Sequence, residues 1–210
     1  MASETCVVIF AKAPIPGEVK TRLIPALGSE GAAMLHAALV ERAVETASRT
    51  KFSVEICCTP TADDAFFEDC AEEFNCDLSD QGDGSLGERM LRSFETLLPE
   101  FKQVVIVGAD CPAVTGKHIR AAAASLAMND VVLIPADDGG YVLIAARRTV
   151  PAMFDGIDWG TDTVLAQQRN ALHRTGLVFI ELETLWDVDR PEDLSRLATL
   201  NPPLLFSLPT

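Results

Sequence analysis

Short apolar runs rich in β-branched residues alternate along the chain with longer stretches in which apolar residues recur every three or four positions. The runs Cys6 to Ala11, Phe52 to Cys58, Gln103 to Gly108, Val131 to Pro135, Tyr141 to Ala145 and Leu177 to Leu182 predict strands. The stretches Ser29 to Ser48, Asp63 to Phe74, Leu86 to Leu98, Thr115 to Met128, Thr161 to Arg174 and Pro191 to Leu200 predict helices. From Leu86 to Leu98, the apolar side chains Leu86, Met90, Phe94, Leu97 and Leu98 share one helical face. Such alternation predicts an α/β fold whose sheet is mainly parallel and covered on both sides. The Asp137-Asp-Gly-Gly140 link is too short for a helical crossover, so at least one pair should be antiparallel and the sheet mixed.

A length of 210 residues, with 48% hydrophobic and 23% charged, suits one domain spanning 1–210 with a sizeable core. Seventeen Lys+Arg against 31 Asp+Glu leave a net charge of -14, which disfavours nucleic acid and anionic membrane surfaces as partners. Uninterrupted apolar runs such as Val131 to Ile134 fall far short of the ~20 residues of a membrane span. Met1 to Thr5 lacks the basic start of a signal peptide, so a cytoplasmic protein is expected. Residues 52–88 hold eleven acids and no Lys or Arg, read as a solvated face. The six cysteines show no zinc spacing, and Cys6, Cys57 and Cys58 sit in apolar stretches as small hydrophobes. His36, His118 and His173 lie in helical patterns without metal spacing and read as structural. The apolar segment Asn201 to Phe206 should pack back on the domain or meet a second subunit in a homodimer.

Ligands of open α/β sheets bind beyond the carboxyl ends of the strands, so the residues following each strand are the candidates for chemistry. Phe10 to Leu23 places Lys12, Lys20 and Arg22 in a short loop with Gly17, in an otherwise acidic protein. That loop suits an anionic ligand such as a di- or triphosphate, with both Lys20 and Arg22 reaching phosphate oxygens and neither needed for the fold. It lacks the spacing of a Walker loop. Asp110, followed by Cys111 and Pro112, points a carboxylate into the crevice, where Mg²⁺ or Mn²⁺ could bridge it to phosphates. Asp137 to Gly140 reads either as a hairpin turn or as a loop passing under a sugar. Asp189 with Glu192 and Pro191 resembles a capping box, leaving Asp187 as the freer carboxylate and second metal ligand. Gly82 to Gly87 fits G-x-G-x-x-G but follows a polar stretch, so it is weak as a dinucleotide fingerprint, though it can present backbone groups at the start of the Leu86 helix.

These segments resemble, in order, a family of bacterial GT-A-like transferases, the DUF2064 family, named in part as arsenosugar-biosynthesis glycosyltransferases. The resemblance rests on the basic first loop, Gln81 to Met90, Gly108 to Pro112, Asp138 to Tyr141, Ile157 to Thr161 and Asp187 to Leu194, and covers residues 6–197. Molybdenum-cofactor nucleotidyltransferases, phospholactate guanylyltransferases and methylerythritol-phosphate cytidylyltransferases have similar first loops and Pro-Glu-Asp-Leu endings. Gly160, Asp162 and Arg190 stand where Ser, Pro and Thr are common, which bears on the acceptor half.

The resemblance implies a three-layer GT-A-like fold with a mixed central sheet. It also implies a nucleotide site at Ala11, Lys12, Gly17, Lys20, Arg22, Gln81, Gly82 and Gly87, with the metal on Asp110 and Asp187. The activity expected is transfer of a sugar from a nucleoside-diphosphate sugar to a small acceptor, with Mg²⁺ or Mn²⁺. Lys20 would stabilise the departing diphosphate, and Asp138 would act as base. The acceptor would meet Gly139, Gly140 and Thr161, which would cap the following helix, while Trp159 either stacks on the acceptor's face or packs in the core beneath that helix. Nucleotidyl transfer with pyrophosphate release is the alternative, and a non-catalytic nucleotide-binding module a second.

Overall fold

The computed structural model describes residues 4–204 and 206. Met1 to Ser3, within the stretch read as lacking a basic leader, and Leu205 of the apolar C-terminal segment lie outside them. Seven strands form one sheet: β1 (Thr5–Lys12), β2 (Ser53–Thr59), β3 (Asp77–Asp80), β4 (Gln103–Gly108), β5 (Val131–Pro135), β6 (Tyr141–Ala146) and β7 (Phe179–Glu181). Their order is β3-β2-β1-β4-β6-β5-β7. All neighbours pair parallel except β6, which runs antiparallel to both β4 and β5. The tight Asp137–Gly140 link between β5 and β6 imposes that reversal.

Helices cover both faces. On one lie α1 (Ile24–Ser48), α2 (Ala65–Phe74) and α4 (Gly116–Ser125), burying Val44, Phe67 and Ile119 against Val7, Ile9 and Val107. On the other lie α3 (Leu86–Leu97) and α5 (Val164–Thr175), where Met90, Phe94 and Leu172 pack on Val8, Ile106 and Ile144. Alternate residues of β1 thus feed opposite cores, as the period of two requires. This is a three-layer α/β fold of the expected mixed, mainly parallel kind. α3 starts where its pattern predicts, under a reciprocal cap between Ser85 and Glu88.

Gly28, with φ 73, interrupts α1, so its regular part begins at Ser29, where the periodicity places it. Taken with the preceding turn, Thr21–Ser48 is long and apolar enough by composition to cross a membrane, although half of the window is buried in the fold. Its apolar residues form no uninterrupted run, because Gly28, Ser29 and Glu30 break it. β3 is absent from the sequence prediction: it is a short polar edge strand whose side chains stay partly or wholly exposed, so it carries no apolar alternation. The Gly82–Gly87 stretch therefore does follow a strand and open a helix.

The predicted last helix is a 3₁₀ run, Pro191–Thr199, with Pro191 in its first turn. Asp189 does not cap it. The Asp193 carboxylate accepts from the backbone N–H groups of Asp189 and Arg190 at 3.1 and 2.8 Å, which frees the Asp189 side chain. Beyond it, Leu204 and Phe206 pack back on a third apolar cluster with Leu23, Leu35, Val188 and Leu197. All six cysteines are free, and burial pushes the Cys6 and Cys111 thiols up to about 12.

At the end of the sheet away from the strands' carboxyl termini, Asp130 is only 4% exposed, shielded by the guanidinium groups of Arg147 and Arg148. It also accepts from Val178 N–H at 3.1 Å, which joins β5, β6 and the start of β7. The Arg148 hydrogen bond, outweighing burial and helped by Val178 and Arg147, holds the carboxyl well below the usual range. A depressed folded-state pKa contributes stability that is present above the unfolded value of about 3.9 and lost as pH falls through the folded value. Asp130→Ala should therefore cost about 2–3 kcal/mol at pH 7 in urea unfolding, and the deficit should shrink steadily below about pH 4. A pH-independent difference would assign the loss to packing instead.

Candidate functional site

Because the chain leaves β1 toward β2 and returns to place β4 on the other side of β1, the strand order reverses between these two strands. A crevice forms at such a switch point, outside the carboxyl ends. The basic first loop and Asp110 both arise there.

In the first loop, Gly17 takes φ +87, a left-handed conformation that side chains resist. Lys12 turns back on the loop, with Nζ donating to the Glu18 carbonyl at 3.0 Å. Lys20 departs from the expectation. It is itself left-handed (φ 47), its side chain is only 4% exposed, and Nζ reaches Asp110 Oδ1 at 2.7 Å and the Val188 carbonyl at 2.5 Å. A lysine withdrawn from water needs a counter-charge, and Asp110 supplies it before any phosphate does. Lys20 is therefore part of the fold as well as of the site. Arg22, by contrast, projects into solvent and pairs with Asp189.

Asp110 sits at the floor of the crevice, and Val188 N–H donates to its backbone carbonyl at 3.0 Å. Although burial pushes its carboxyl up, the Lys20 ammonium beside it outweighs that and holds it well below the usual range. His36 of α1 is a site residue that local sequence conceals, since nothing in its helical pattern marks a neighbour so distant in the chain. Its Nε2 lies 2.9 Å from the Lys12 carbonyl, which can only accept, so Nε2 carries the proton. Nδ1 then faces Asp110 Oδ1 at 3.6 Å with no hydrogen-bond partner.

The Asp137–Gly140 segment is a turn closed by Ala136 N–H to the Gly140 carbonyl at 3.0 Å. Asp138 Oδ1 accepts from Gly140 N–H at 2.8 Å. Asp138, Asp110 and Asp187 line one recess of about 150 Å³ together with Gly140. Burial and the nearby Asp138, opposed by Lys20 and reinforced by Asp110, push Asp187 up to about 6. Negative charge is thus under-compensated at this point, the condition under which carboxylates accept a hard cation. Among the described residues, no three His, Cys, Asp or Glu side chains are gathered to hold an ion by themselves. Asp110 and Asp187 therefore fit Mg²⁺ or Mn²⁺ with phosphate oxygens and water completing the shell.

The recess opens into a cleft of about 700 Å³ that also meets Arg22, Leu86, Asp138, Trp159 and Thr161. Trp159 is half-buried, edge-on to Tyr141 and tilted against Phe154. It both packs and lines the cleft. Thr161 does not cap the helix that follows: α5 begins at Val164, and Thr161 Oγ1 donates instead to the Asp158 carbonyl at 2.8 Å. That helix is tied to the turn by Leu165 N–H to the Gly139 carbonyl at 2.9 Å.

Gln81, Gly82 and Gly87 turn out to have structural partners. The Gln81 amide nitrogen donates to the Ala11 and Cys57 carbonyls at 3.2 and 2.9 Å, and its oxygen accepts from Arg89 at 3.1 Å. It cross-links the ends of β1 and β2, so Ala11 and Gln81 are joined to each other. A Cβ on Gly82 would lie 2.9 Å from Arg92 Nη1. One on Gly87 would lie 2.8 Å from Trp159 Cζ2 and 3.0 Å from Phe154 Cβ. Gly87 lets the indole seat against the start of α3. Gly87→Ala is expected to displace the indole and cost about 1–3 kcal/mol, read by tryptophan fluorescence and by denaturant unfolding. An unshifted spectrum with unchanged stability would show that the wall is not held by this contact.

A second depression, about 420 Å³, lies near the amino ends of β2 and β3, where Lys51 and Asp77 are the only charged lining residues. It lacks the convergence of groups seen in the cleft.

The family model described as an uncharacterized protein conserved in bacteria (DUF2064) matches residues 40–161. A protein of Desulfovibrio desulfuricans G20, described as a candidate nucleotide-diphospho-sugar transferase, is 32% identical, with a TM-score of 0.81 over 90% of this chain and 83% of that one. The 4-diphosphocytidyl-2C-methyl-D-erythritol synthase of Anaerococcus prevotii DSM 20548 superposes at TM-score 0.61 and 14% identity, over 92% and 96% of the two chains. CMP:2-keto-3-deoxy-manno-octonic acid synthetase, solved with CTP, superposes at 0.57 and 14%, over 95% and 99%. These last two show likeness of fold. No curated protein matches the sequence.

Proposed function

Because the chain belongs to the DUF2064 family of bacterial proteins, we propose that its cleft is the active site of a nucleotide-utilising transferase that moves a sugar from a nucleoside-diphosphate sugar to a small acceptor. The observation that carries this reading is the cleft at the β1/β4 switch point, where two arginines, seven aspartates, three of them gathered round one recess, and an aromatic wall converge. The 32% identical relative, described as a candidate nucleotide-diphospho-sugar transferase, supports the donor class.

Arg22 binds the diphosphate by exchanging Asp189 for phosphate oxygens, a bidentate contact that suits a guanidinium. Lys20 acts through Asp110, holding that carboxylate in place at the cleft floor. A divalent cation bound with the phosphates at Asp110 and Asp187 would neutralise the charge of the diphosphate leaving group. Asp138 Oδ1 is engaged by Gly140 N–H, which leaves Oδ2 to receive the proton of the acceptor hydroxyl. Trp159 and Tyr141 form the apolar wall against which the transferred sugar lies and from which water is excluded.

The test is a panel of sugar nucleotides and nucleoside triphosphates, with and without Mg²⁺, read by thermal shift and product analysis. A ligand at a hundred times its dissociation constant should stabilise by about 2.7 kcal/mol. Release of a nucleoside diphosphate from a sugar nucleotide is expected. Pyrophosphate release from a triphosphate would replace this reading by nucleotidyl transfer, and nucleotide binding without turnover would leave a binding module. Arg22→Ala should weaken nucleotide binding in calorimetry while leaving the melting temperature of the free protein in place. Unchanged affinity would remove Arg22 from the phosphate site.

A further inference from the structure

Beneath the aromatic wall the cleft continues into a small apolar recess of about 90 Å³ between the start of α3 and the ends of β1, β4 and β6. Phe10, Leu86, Met90, Ile106, Gly108 and Leu143 line it. It shares Leu86 and Tyr141 with the large cleft, and Gly108 and Tyr141 with the recess that holds Asp110, Asp138 and Asp187. Leu86, at the mouth, is one of the few large apolar side chains left exposed, at 38%.

Gly108 is the informative residue. Its φ lies outside the left-handed region, so the backbone does not demand a glycine, and a Cβ there would meet only the Val142 carbonyl oxygen, at 3.8 Å. Neighbours do not demand it either. A glycine ending a buried strand costs backbone entropy and side-chain packing, and its common use is to admit a group close to the chain. What the missing side chain provides here is the volume of the recess. The walls offer aliphatic and aromatic carbon with the adaptable Met90 thioether, so a hydroxyl or phosphate placed inside would lose its water without replacement. A cavity of ~150 Å³ accepts benzene, so this one holds about three or four carbon atoms.

We propose that the recess over Gly108 is a subsite for a compact aliphatic group of about three or four carbons, carried by the molecule that enters the adjoining carboxylate-lined cleft. The proposal rests on the reading of that cleft as a substrate site. It divides the ligand: charge and hydroxyls at Asp110, Asp138 and Asp187, hydrocarbon at Met90 and Gly108.

The experiment uses the full chain with ¹³C-methyl methionine, titrated with isobutanol and, separately, with ethylene glycol. A saturable shift of the Met90 methyl with isobutanol alone is expected. Gly108→Ala should weaken that response about fourfold or more, the worth of one methylene, and Gly108→Val should abolish it. Unchanged Met34 and Met153 resonances show that each variant is folded, and the alanine variant decides the matter if the valine one is not. No saturable shift, an equal response to ethylene glycol, or undiminished affinity in Gly108→Ala would overturn the subsite. A sugar-nucleotide panel on the same samples reports on the cleft separately: silence there with a saturable isobutanol response sinks the transferase reading and keeps the recess, and the converse sinks the recess.

Discussion

Replacing Gly139 by alanine is expected to destabilise the protein by about 4 kcal/mol and to abolish turnover. Two costs add. The residue has φ +92, which an L side chain adopts only under strain, and a Cβ would fall 2.1 Å from the Asp162 backbone carbonyl oxygen. Because the obstacle is backbone, no rotamer change relieves it. The displacement has consequences for chemistry as well, since the Gly139 carbonyl accepts from Leu165 N–H and the next residue, Gly140, holds Asp138 Oδ1. For a chain of this size, a loss of about 4 kcal/mol corresponds to a fall of about 8–16 °C in Tm. Gly139 is the point where the turn and the start of α5 touch. A variant that melts within a degree or so of the parent and turns over normally would show that the turn and α5 can separate freely.

Asp110→Asn should lose both stability and metal-dependent nucleotide binding, for separable reasons. Lys20 is withdrawn from water and depends on the Asp110 carboxylate; removing one partner of such a pair costs about 3 kcal/mol. Half of the Asp110 side chain nonetheless faces the water of the cleft, which places its other oxygen within reach of a ligand. A double-mutant cycle with Lys20→Met separates the two roles. The pair of substitutions should recover much of the stability lost in Asp110→Asn, because no unpaired ammonium remains, while nucleotide binding with Mg²⁺ stays lost. If binding returns along with stability, Asp110 serves the fold alone. If Asp110→Asn binds nucleotide with unaltered metal dependence, the cation does not sit on this carboxylate.

Lys20 illustrates the limit of reading a loop from its charges. Three cations in a short stretch correctly mark the loop that lies at the crevice, but their availability depends on Glu18 within that loop and on the distant Asp110 and Asp189, which only folding brings near. His36 gives no local sign at all. It faces Asp110 because α1 crosses behind the β1/β4 crevice, and no helical periodicity encodes that crossing.

Legible in the amino-acid order were the alternation of elements, the mixed sheet, the carboxylates after the strands and the family, because each rests on local spacing or on motifs a few residues long. The reversal at β6 follows from a link too short to cross over, a constraint of chain length alone. Folding decided which of those residues are free. Asp189 lost its capping role to Asp193, Thr161 turned to Asp158, and Gln81 and Gly87 were taken up in joining strands and seating Trp159. β3, polar at the sheet edge, was hidden because an exposed strand buries no alternate side chains and so leaves no period to read. Capping, ion pairing and close packing are contests among competing groups, some adjacent and some far apart in the chain, and their outcome is set by which partner the fold brings within about 3 Å.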